Sequence, residues 1–578
     1  MTSERAFDIV VIGAGISGIY AAKFYLDVHP QCHLVILDRD TCVGGVWNSR
    51  RGYDSFWTQW TVGTAEFSDL PMTRPPEEDV YYEFFKAKYT TKYLEDYVDT
   101  HRYGDTTLRD RIKLSTEVRS LLRKDGKWMI ETVDVVSGAS DTWQTTKRIV
   151  ASGLNSIPNM PSLPGKELLQ GPILHQNDFG SSKVLTSPDI QKITVLGAGK
   201  SSADMVYSAV KAGKTVSWII KASDTNGPGF LLSPKGKGPY KNAFEVGLTR
   251  ITATFVPSFL NGNSWWTWFL HSTKYGVKMM NAFWGAVDNE TRKDANFNGR
   301  KNLQGFEKLN PQSPIFWQNC TGGLLHQVDF FDVIAEKVRI YCADIASIKE
   351  HKILLEDGNA VSADAILCGT GWVPSLQFFT EDQKISLGLP HLPSSEHEEH
   401  QDQWKQLTSE ADQKVVSRFP QLENLPPHYC RLVTHTPYRL YKHIAPLLTS
   451  DSEIDRNSIV FIGQVSVGDY FPVVQCQSMW ATAYLDGKLA LPPSQEQQKE
   501  VALFTAWNSR RYLSSGDEGN NMTFELVRYC DSLLQDLGLK SHRRGWFKDL
   551  FAPFVASNFA GLKDEYLRKY GSDETKGA

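Results

Sequence analysis

Hydrophobic and polar positions near the start of the chain follow the order strand, turn, helix, strand. Residues 7–12 form an apolar run, and residues 13–18 then read Gly-Ala-Gly-Ile-Ser-Gly. Apolar positions recur at helical spacing through residues 19–26, and a second apolar run, 34–37, ends at Asp38. This order predicts a βαβ unit of the kind that binds dinucleotides.

Each glycine of this turn has its own expected role. Gly13 permits the tight turn, Gly15 lets the backbone approach a pyrophosphate, and Gly18 lets the helix pack closely on the strand. The N-terminus of the helix then offers N–H groups and the positive end of its dipole to the phosphates. Asp38 follows Gly18 by 20 residues, where an acid accepts hydrogen bonds from ribose hydroxyls.

A second signature of the same type lies further along the chain. Residues 192–196 predict a strand, residues 197–202 read Gly-Ala-Gly-Lys-Ser-Ser, and residues 203–212 predict a helix. Residues 215–221 predict the next strand, which ends on Lys221. The third glycine is replaced by Ser202, a small residue that should still allow close packing.

The second signature ends on a cation instead of an acid. Lys221 ends its last strand, and a cation accommodates the 2′-phosphate of NADPH, whereas an acid binds the free 2′-hydroxyl of NADH. A solvated strand end is the other interpretation of Lys221. The residues expected to bind NADPH are Gly197, Gly199, Lys200, Ser201, Ser202 and Lys221.

The remaining patterns give a coarser outline. Residues 112–150 read as short strands separated by turns, and residues 81–98 predict a helix. The proline-rich stretch 158–165 predicts a rigid linker. Residues 459–464 predict a strand that ends in glycine, and residues 475–485 predict a helix.

Residues 226–330 are rich in large aromatic side chains and have no clean period. The clusters at 264–270 and 279–284 hold most of these side chains, and His271 and Lys274 interrupt them. A plain helical core, a hydrophobic lid over a pocket and a patch on a membrane surface all remain open for this region.

The bulk composition excludes several classes of function. A chain of 578 residues suggests about three domains, and a formal net charge of −4 argues against nucleic-acid binding. No run of 18 apolar residues exists, so no transmembrane segment is expected, and membrane-surface contact stays open. The first strand begins at residue 7, which leaves no room for a signal peptide, so we expect a cytoplasmic protein.

The cysteines and histidines give no sign of a metal or a disulfide framework. The eight cysteines are spread along the chain without a C-x-x-C pair. The block 394–400 holds two histidines and three glutamates, and we interpret it as surface. We therefore expect no metal site.

Two βαβ signatures indicate two dinucleotides, and a flavin with a pyridine nucleotide is the most economical pair. The chain from about residue 7 to residue 487 resembles the class B flavin-dependent monooxygenases, in particular the flavin-containing monooxygenase-like family, which is related to the Baeyer–Villiger monooxygenases. The segments that carry the resemblance are Gly-Ala-Gly-Ile-Ser-Gly at 13–18, Gly-Gly-Val-Trp at 44–47, Gly-Ala-Gly-Lys-Ser-Ser at 197–202, Cys-Gly-Thr-Gly at 368–371 and Ile-Gly-Gln at 462–464.

This resemblance assigns FAD to the first signature. Because Lys221 associates the second signature with NADPH, Asp38 is interpreted as the contact to the adenosine ribose of the flavin. The residues expected to bind FAD are Gly13, Gly15, Gly18, Asp38, Gly45, Trp47 and Gln464.

The resemblance also names two candidate catalytic residues. Residues 169–179 match the family fingerprint F-x-G-x-x-x-H-x-x-x-(Y/F), with Leu169 in place of the first aromatic residue and His175 as its histidine. His175 would orient a loop or NADP⁺, or serve a structural role. Gln59 stands where many N-oxidising members carry an active-site Asn, and its extra methylene would displace the hydrogen bond of the amide, which puts amine N-oxidation in doubt.

The resemblance implies a monooxygenase reaction. NADPH reduces FAD, O2 adds at the flavin C4a to give a (hydro)peroxyflavin, and one oxygen atom passes to a nitrogen, sulfur or activated carbon. In the Baeyer–Villiger alternative the peroxide attacks a ketone. The aromatic-rich middle region leads us to expect a fairly large apolar small molecule as substrate, in specialised metabolism.

Two further hypotheses fit a pair of nucleotide folds. A pyridine-nucleotide–disulfide oxidoreductase needs two thiols close to the flavin, and Cys42 has only Cys32 near it in sequence. A protein that has lost catalysis would bind NADPH tightly without turnover.

The resulting prediction is an α/β fold with two Rossmann-like dinucleotide-binding domains, a discontinuous FAD domain and an extra helical C-terminal segment. The expected boundaries are residues 1–165 for the first part of the FAD-binding domain, 166–335 for the NADPH-binding domain with its aromatic-rich insertion, 336–490 for the second part of the FAD-binding domain and 491–578 for the helical C-terminal extension.

Overall fold

The computed structural model describes residues 4–222, 229–317, 322–426, 433–447 and 456–571. Cys320, Cys430 and part of the aromatic-rich region (226–228 and 318–321) lie outside the described residues.

Strands and helices alternate through most of the chain. The strands are β1 (Glu4–Ile12), β2 (Leu34–Leu37), β3 (Trp57–Thr61), β4 (Val80–Tyr81), β5 (Phe84–Lys86), β6 (Arg102–Tyr103), β7 (Thr106–Thr107), β8 (Ile112–Lys113), β9 (Thr116–Lys124), β10 (Lys127–Asp134), β11 (Ser140–Val150), β12 (Ile157–Pro158), β13 (Ile173–His175), β14 (Lys192–Leu196), β15 (Thr215–Ile220), β16 (Leu231–Leu232), β17 (Gly323–Leu324), β18 (Val338–Cys342), β19 (Ile345–Lys349), β20 (Lys352–Leu355), β21 (Ala360–Ser362), β22 (Ala365–Cys368), β23 (Trp372–Val373), β24 (Leu440–Tyr441), β25 (Ala445–Pro446) and β26 (Ile459–Phe461).

The α-helices range from single turns to a helix of 22 residues. They are α1 (Ile16–Val28), α2 (Lys88–Thr100), α3 (Gln176–Phe179), α4 (Lys200–Lys211), α5 (Ala243–Gly247), α6 (Arg250–Ala253), α7 (Trp265–Ser272), α8 (Lys274–Ala295), α9 (Phe330–Lys337), α10 (Glu381–Leu387), α11 (Glu398–Arg418), α12 (Tyr470–Leu485), α13 (Ser494–Arg511), α14 (Leu526–Asp536), α15 (Trp546–Phe551) and α16 (Leu562–Tyr570).

The first nucleotide signature forms the centre of a seven-stranded sheet. Strand order is β8-β2-β1-β11-β10-β9, and β26 pairs with β11. Strand β1 runs parallel to both β2 and β11, as a βαβ unit requires. Because β26 comes from residue 459 onward, the sheet is built from two distant parts of the chain, which confirms the discontinuous first domain.

The second signature forms a separate five-stranded sheet. Its order is β13-β22-β14-β15-β18, and all four pairings are parallel. Strands β18 and β22 lie after residue 335, so the expected boundary there is wrong: the second sheet continues to Cys368. The error arises because each parallel strand needs a long crossover, so the last strands of a unit lie far along the chain.

The helix expected at residues 81–98 begins later than predicted. Strands β4 and β5 occupy the start of this range and pair with each other, and β5 also pairs with β3. Helix α2 starts only at Lys88. Aromatic and β-branched residues favour such pairing, and the partner strand β3 lies too far back for a local helical pattern to reveal it.

The aromatic-rich region is helical and divides its large side chains between core and surface. Met280 and Trp284 are buried in α8, whereas Trp265 is 71% exposed and Tyr275 is 81% exposed. The interpretation as helical core therefore describes part of the region, and the lid and the membrane-surface patch stay predictions.

The helical C-terminal segment packs on the first domain. Leu533 and Tyr566 are fully buried in the same core as Phe24 of α1, and the Phe24 and Tyr566 rings lie 5.0 Å apart in an edge-to-face arrangement. This segment therefore completes the core around the first nucleotide fold.

Candidate active site

The first glycine turn is closed against the strand beside it. Gly13 has φ of +110°, and a Cβ there would lie 2.4 Å from the Ala151 carbonyl oxygen. A Cβ on Gly18 would lie 1.8 Å from the carbonyl oxygen of Gly13. Both contacts are with backbone, which cannot move aside, so these two positions require glycine.

A second pair of glycines faces this turn. The Gly44 N–H donates to the Ala14 carbonyl at 2.9 Å, and Gly45 has φ of +58°. A Cβ on Gly45 would lie 3.1 Å from the Gly15 Cα. The two glycine segments therefore approach each other closely, as expected where backbone surrounds an extended ligand.

These segments border a cavity of about 670 Å³, which we call the first cavity. Its size lies within the range of ligand and cofactor sites. The lining residues include Gly13, Gly15, Asp38, Arg39, Gly45, Trp47, Arg51, Gln59, Trp60, Ser152 and Gly463.

The donors and acceptors of the first cavity suit FAD. Helix α1 starts at the glycine turn, and among the described residues no side chain caps its first N–H groups, which leaves them for phosphate. Arg39 and Arg51 add positive charge, and Trp47 and Trp60, whose ring centroids are 4.5 Å apart, give an apolar wall for a flat ring system.

Asp38 closes one side of the first cavity. Its carboxylate accepts hydrogen bonds from the Ala14 N–H at 2.5 Å and from the Asp40 N–H at 2.8 Å. Burial raises the pKa of Asp38 to about 6, although these backbone donors oppose the shift. Asp38 therefore lies where the sequence predicted it and also stabilises the glycine turn itself.

The arginines of this cavity were missed by the sequence reasoning. Arg51 forms an ion pair with Asp40 at 3.0 Å, and Arg39 donates to the Ser156 carbonyl. The sequence feature that could have revealed these arginines is their position, directly after Asp38 and shortly after Trp47, beside a predicted phosphate site.

The second glycine turn also packs against the end of a neighbouring strand, but Ser202 replaces the third glycine. Gly197 has φ of +111°, and a Cβ there would lie 2.3 Å from the Gly369 carbonyl oxygen. The Trp218 indole N–H donates to the Gly197 carbonyl at 2.6 Å. Ser202 is fully buried, and its hydroxyl lies 3.1 Å from the Gly369 carbonyl and 3.3 Å from that of Leu196.

The lysines of the second signature occupy different environments. Lys200 forms an ion pair at 2.5 Å with Asp204, one helical turn further along α4. Burial raises the pKa of Asp204, which Lys200 opposes. Lys221 is exposed directly after the end of β15, where the sequence predicted it. Lys221 therefore remains the residue predicted to bind the 2′-phosphate.

Gln59 joins the two halves of the molecule. Its amide nitrogen donates to the Leu324 carbonyl at 3.1 Å, and its amide oxygen accepts from the Leu324 N–H at 2.7 Å. We call this two-bond contact the Gln59 clasp. Both polar groups of the predicted catalytic amide are thus engaged with main chain, although Gln59 still lines the first cavity.

The two hydrogen bonds of the His175 ring are both with main-chain groups. The Asn177 N–H donates to Nδ1 at 3.2 Å, so Nδ1 is the acceptor and Nε2 carries the proton, which it donates to the Gly371 carbonyl at 2.8 Å. Burial is the main cause that lowers the pKa of His175. The residue fixes the turn after Cys368 at the end of the second sheet.

His326 is a polar residue at the same junction that the sequence did not reveal. Its ring stacks on Trp57 with centroids 5.7 Å apart and meets Phe84 edge to face at 5.0 Å. Within the described part of the chain neither ring nitrogen has a hydrogen-bond partner. Burial, and secondly Lys200, hold the pKa of His326 well below its usual value, so the ring is neutral.

Gln464 and Gln475, near the end of the first domain, do not line the first cavity. Gly463 lines it, whereas Gln464 is fully buried and its amide oxygen accepts from the Tyr438 hydroxyl at 3.2 Å. Gln475 accepts hydrogen bonds from the N–H and the hydroxyl of Ser68. The contact of Gln464 with FAD therefore stays a prediction, and neither its side chain nor its backbone lines the first cavity.

The described residues also bear on metals, thiols and membranes. No group of three or more His, Cys, Asp or Glu side chains among them is arranged to hold a metal ion, and no described helix is long and apolar enough to cross a bilayer. Cys476 and Cys530 contact each other in the buried core, and no described cysteine lines the first cavity.

The comparisons with known proteins agree with this geometry. The family model of pyridine nucleotide-disulphide oxidoreductases matches residues 10–256. An FAD-dependent monooxygenase of Aspergillus nomiae is 30% identical over 98% of this chain and 99% of its own.

Solved structures share the fold at low sequence identity. Cyclohexanone monooxygenase from Rhodococcus sp. Phi1, bound to NADP⁺, superposes with a TM-score of 0.56 at 15% identity, over 93% of this chain and 98% of that one. S-allyl-L-cysteine S-oxygenase from Allium sativum gives a TM-score of 0.52 at 15% identity, over 99% and 97%. The fold is thus common to enzymes named for a ketone and for a sulfur substrate.

Proposed function

Because the chain belongs to the FAD-dependent monooxygenases, we propose that it is an NADPH-dependent member of this family that adds one atom of O2 to a fairly large apolar small molecule in specialised metabolism. The first glycine turn and the first cavity would hold FAD. The second glycine turn, with Lys221, would hold NADPH.

The observation that carries this proposal is the meeting of the two nucleotide units at Gly323. A Cβ on Gly323 would lie 2.7 Å from the Gln59 amide oxygen and 3.1 Å from the Lys200 Cγ. Gln59 lines the first cavity, and Lys200 is the first residue of the helix that follows the second glycine turn. The two sites therefore adjoin at one junction, as hydride transfer between two nucleotides requires.

When bound, the two cofactors supply hydride transfer and the activation of O2. The chain's own residues bind and orient them. The N–H groups at the start of α1 would receive phosphate oxygens, and Asp38 would accept from a ribose hydroxyl. Trp47 and Trp60 keep water from one side of the first cavity, which limits wasteful loss of activated oxygen.

Gln59 and His175 support this geometry through hydrogen bonds to main-chain groups. The Gln59 clasp holds the strand that carries Gly323 and Leu324 beside the first cavity, and His175 holds the Gly371 carbonyl at the end of the second sheet. We therefore propose that both are positioning residues. For Gln59 this role differs from the catalytic role implied by the family resemblance, and for His175 it is one of the roles that the resemblance left open.

Thiol-based electron transfer is the weaker alternative, despite the match to the disulphide oxidoreductase family model. That chemistry needs a pair of cysteines at the flavin. The described cysteine pair, Cys476 and Cys530, is instead fully buried in the core, and burial raises the pKa of Cys530. Thiol titration of the holoenzyme before and after addition of NADPH tests this point: the monooxygenase proposal expects no new thiols.

The proposal is tested by rapid mixing of the purified yellow protein with NADPH or NADH in the absence of oxygen. We expect NADPH to bleach the flavin absorbance much faster than NADH. After admission of air, mass spectrometry of products should show an increase of one oxygen atom, and fragmentation then separates an ester formed by Baeyer–Villiger insertion from an N- or S-oxide or an alcohol. A colourless protein that FAD cannot reconstitute, or equal rates with both nucleotides, would contradict the proposal.

A further inference from the structure

A second cavity, of about 410 Å³, lies apart from both glycine turns. Its walls come from β24 and the turn after it, from α13 and α14 of the C-terminal segment, and from a short helical turn at residues 258–262. Phe259, Leu440, Val501, Phe504 and Trp507 give it a mostly apolar lining. Its volume suits a small molecule of one or two rings.

Several buried polar atoms in these walls have no partner among the described residues. They are Nδ1 of His443, Oδ1 of Asp531, Nε of Arg528 and Oδ1 of Asn261. His443 and Asp531 are more than nine-tenths buried. A buried polar group that lacks a hydrogen bond costs stability, so four of them around one cavity indicate that something else satisfies them.

The turn at this cavity is strained. Lys442 and His443 are consecutive residues other than glycine with φ of +52° and +56°. Such conformations cost free energy and persist where surrounding contacts impose them, commonly at binding sites. Here the Tyr529 hydroxyl donates to the Lys442 carbonyl at 2.6 Å, and the Lys442 ammonium pairs with Glu500 at 2.7 Å.

Charge in the second cavity is balanced. Lys442 pairs with Glu500 at 2.7 Å and lies 3.7 Å from Asp536. Asp531 pairs with the buried Arg250 and lies 3.7 Å from Arg528. The charged groups around the cavity are therefore compensated within the protein. Burial lowers the pKa of His443 to about 3, so this ring is neutral as well. A neutral ligand that offers both a donor and an acceptor fits this surface better than an ion, because it requires no further charge compensation.

One hydrogen-bond path connects this cavity to the first one, and a second path ends on Gln464, the residue after Gly463. The Tyr529 hydroxyl accepts from the Gln477 amide at 2.9 Å, and the Gln477 oxygen accepts at 3.0 Å from the N–H of Gly463, which lines the first cavity. On the other side, the Tyr438 hydroxyl donates to Gln464 at 3.2 Å. Both tyrosines line the second cavity.

We propose that the second cavity is a binding site for a neutral, flat, largely apolar small molecule with a hydroxyl or similar group, and that its occupancy is transmitted to the flavin site through Tyr529–Gln477–Gly463 and Tyr438–Gln464. The site is separate from the substrate position at the nucleotide junction. Its occupant acts as an effector of the flavin site.

The probe for this site is 4-iodophenol, a neutral aromatic compound with one hydroxyl and a heavy atom. We expect it to raise the melting temperature of the FAD-loaded enzyme in a saturable manner, because it binds only the folded form. We also expect a small flavin difference spectrum over the same concentration range. Crystals soaked in the probe should show iodine anomalous density among Phe259, Phe504 and Tyr438.

Four variants decide where the probe acts. Val501→Trp fills the second cavity and should abolish both signals, and the milder Leu503→Phe should weaken them if the tryptophan disturbs folding. Val136→Trp, the same change at an exposed turn, should leave both unchanged. Tyr529→Phe should retain the melting shift but reduce the spectral signal, because it removes one path.

The outcomes that overturn the proposal are distinct. A melting shift that survives in Val501→Trp, or iodine density found only elsewhere, would show binding at crystal concentration or at another surface. Absence of any shift at saturating probe would show that the second cavity binds nothing of this class. A melting shift without a spectral change in the parent enzyme would retain the site and overturn its coupling to the flavin.

Discussion

In both glycine turns a helix packs closely on a neighbouring strand. The smaller residue of the contact lies on the helix in the first turn and at the strand end in the second. In the first turn the helix contributes Gly18 and the neighbouring strand ends in Ala151, whose Cβ would lie 3.5 Å from a Cβ on Gly18. In the second turn the helix contributes the larger Ser202, and the strand end is Gly369, where a Cβ would lie only 2.0 Å from the Ser202 hydroxyl oxygen.

This difference shows what the third glycine of the motif is for. The second turn tolerates serine because the space is provided by Gly369 and because the serine hydroxyl finds the carbonyls of Leu196 and Gly369. In the second turn the physical requirement is therefore the combined volume of two residues that meet across helix and strand, and the sequence motif records only one of them. In the first turn the Gly13 carbonyl oxygen, 1.8 Å from a Cβ on Gly18, also excludes a side chain.

The largest effect is expected where the first turn has no spare volume. In Gly18→Ala the new methyl would lie 1.8 Å from the Gly13 carbonyl oxygen, so the turn must open. We expect a loss of at least about 3 kcal/mol in stability and purification without bound FAD, measured by denaturant unfolding and flavin absorbance. Gly285→Ala, at an open helical position, is the control and should keep its flavin.

The next effect concerns Lys221, which follows the last strand of the second nucleotide unit as Asp38 follows that of the first. In Lys221→Glu a charge-assisted contact with the 2′-phosphate would be replaced by repulsion, so we expect kcat/KM for NADPH to fall by about 10- to 100-fold. The value for NADH should change little, and Lys414→Glu, the same charge change at an exposed position, should alter neither. Equal losses with both nucleotides would refute the 2′-phosphate assignment.

A smaller effect is expected from exchanging the volumes of the second turn. Gly369→Ala places a methyl against the Ser202 hydroxyl and should cost about 1–3 kcal/mol in stability, with a raised KM for NADPH. Adding Ser202→Gly recreates the Gly18–Ala151 arrangement and should recover about 1–2 kcal/mol of this loss. A strictly additive double variant would show that the two residues do not share one space.

The smallest effect is a pH dependence of stability that arises from Asp38 beside the first turn. The pKa of Asp38 is about 6 in the folded apoprotein, above that of an unfolded aspartate, which is about 4. The folded state therefore retains a proton that the unfolded state releases, and stability should fall as pH rises from about 4 to about 6 and then level off.

Asp38→Asn removes this titration. We expect the apoprotein of this variant to lose the decline of about 1–2 kcal/mol between pH 4 and 6, measured by urea unfolding at several pH values in that window. An unchanged decline in the variant would assign the titration to another group.

The sequence predicted the local units well because their signals are local. The strand, glycine turn, helix, strand and acid from β1 to Asp38 lie within one short stretch, and the structure reproduces their order. The second unit behaves in the same way up to Ile220. Fold class followed from these two units.

The sequence did not predict contacts between residues that lie far apart along the chain. Gln59 was expected at the catalytic centre, but its partner Leu324 is 265 positions away, so no pattern announces the clasp. The same distance hides the contact of His326 with Trp57 and the membership of β22 in the second sheet. Such contacts depend on tertiary packing, which overrides local propensity.

The Gln59 clasp has a consequence for the exchange of whole units between relatives. One side of the clasp is a side chain, and the other is the peptide backbone of Leu324, which every residue except proline offers in the same form. A chimaera that receives its second nucleotide unit from another member can therefore keep this connection whatever residue stands at that position. The specific residues that the clasp requires are Gln59 in the first unit and Gly323 in the second, because a Cβ on Gly323 would lie 2.7 Å from the Gln59 amide oxygen. A replacement unit must therefore bring this glycine, whereas the residue beside it can vary.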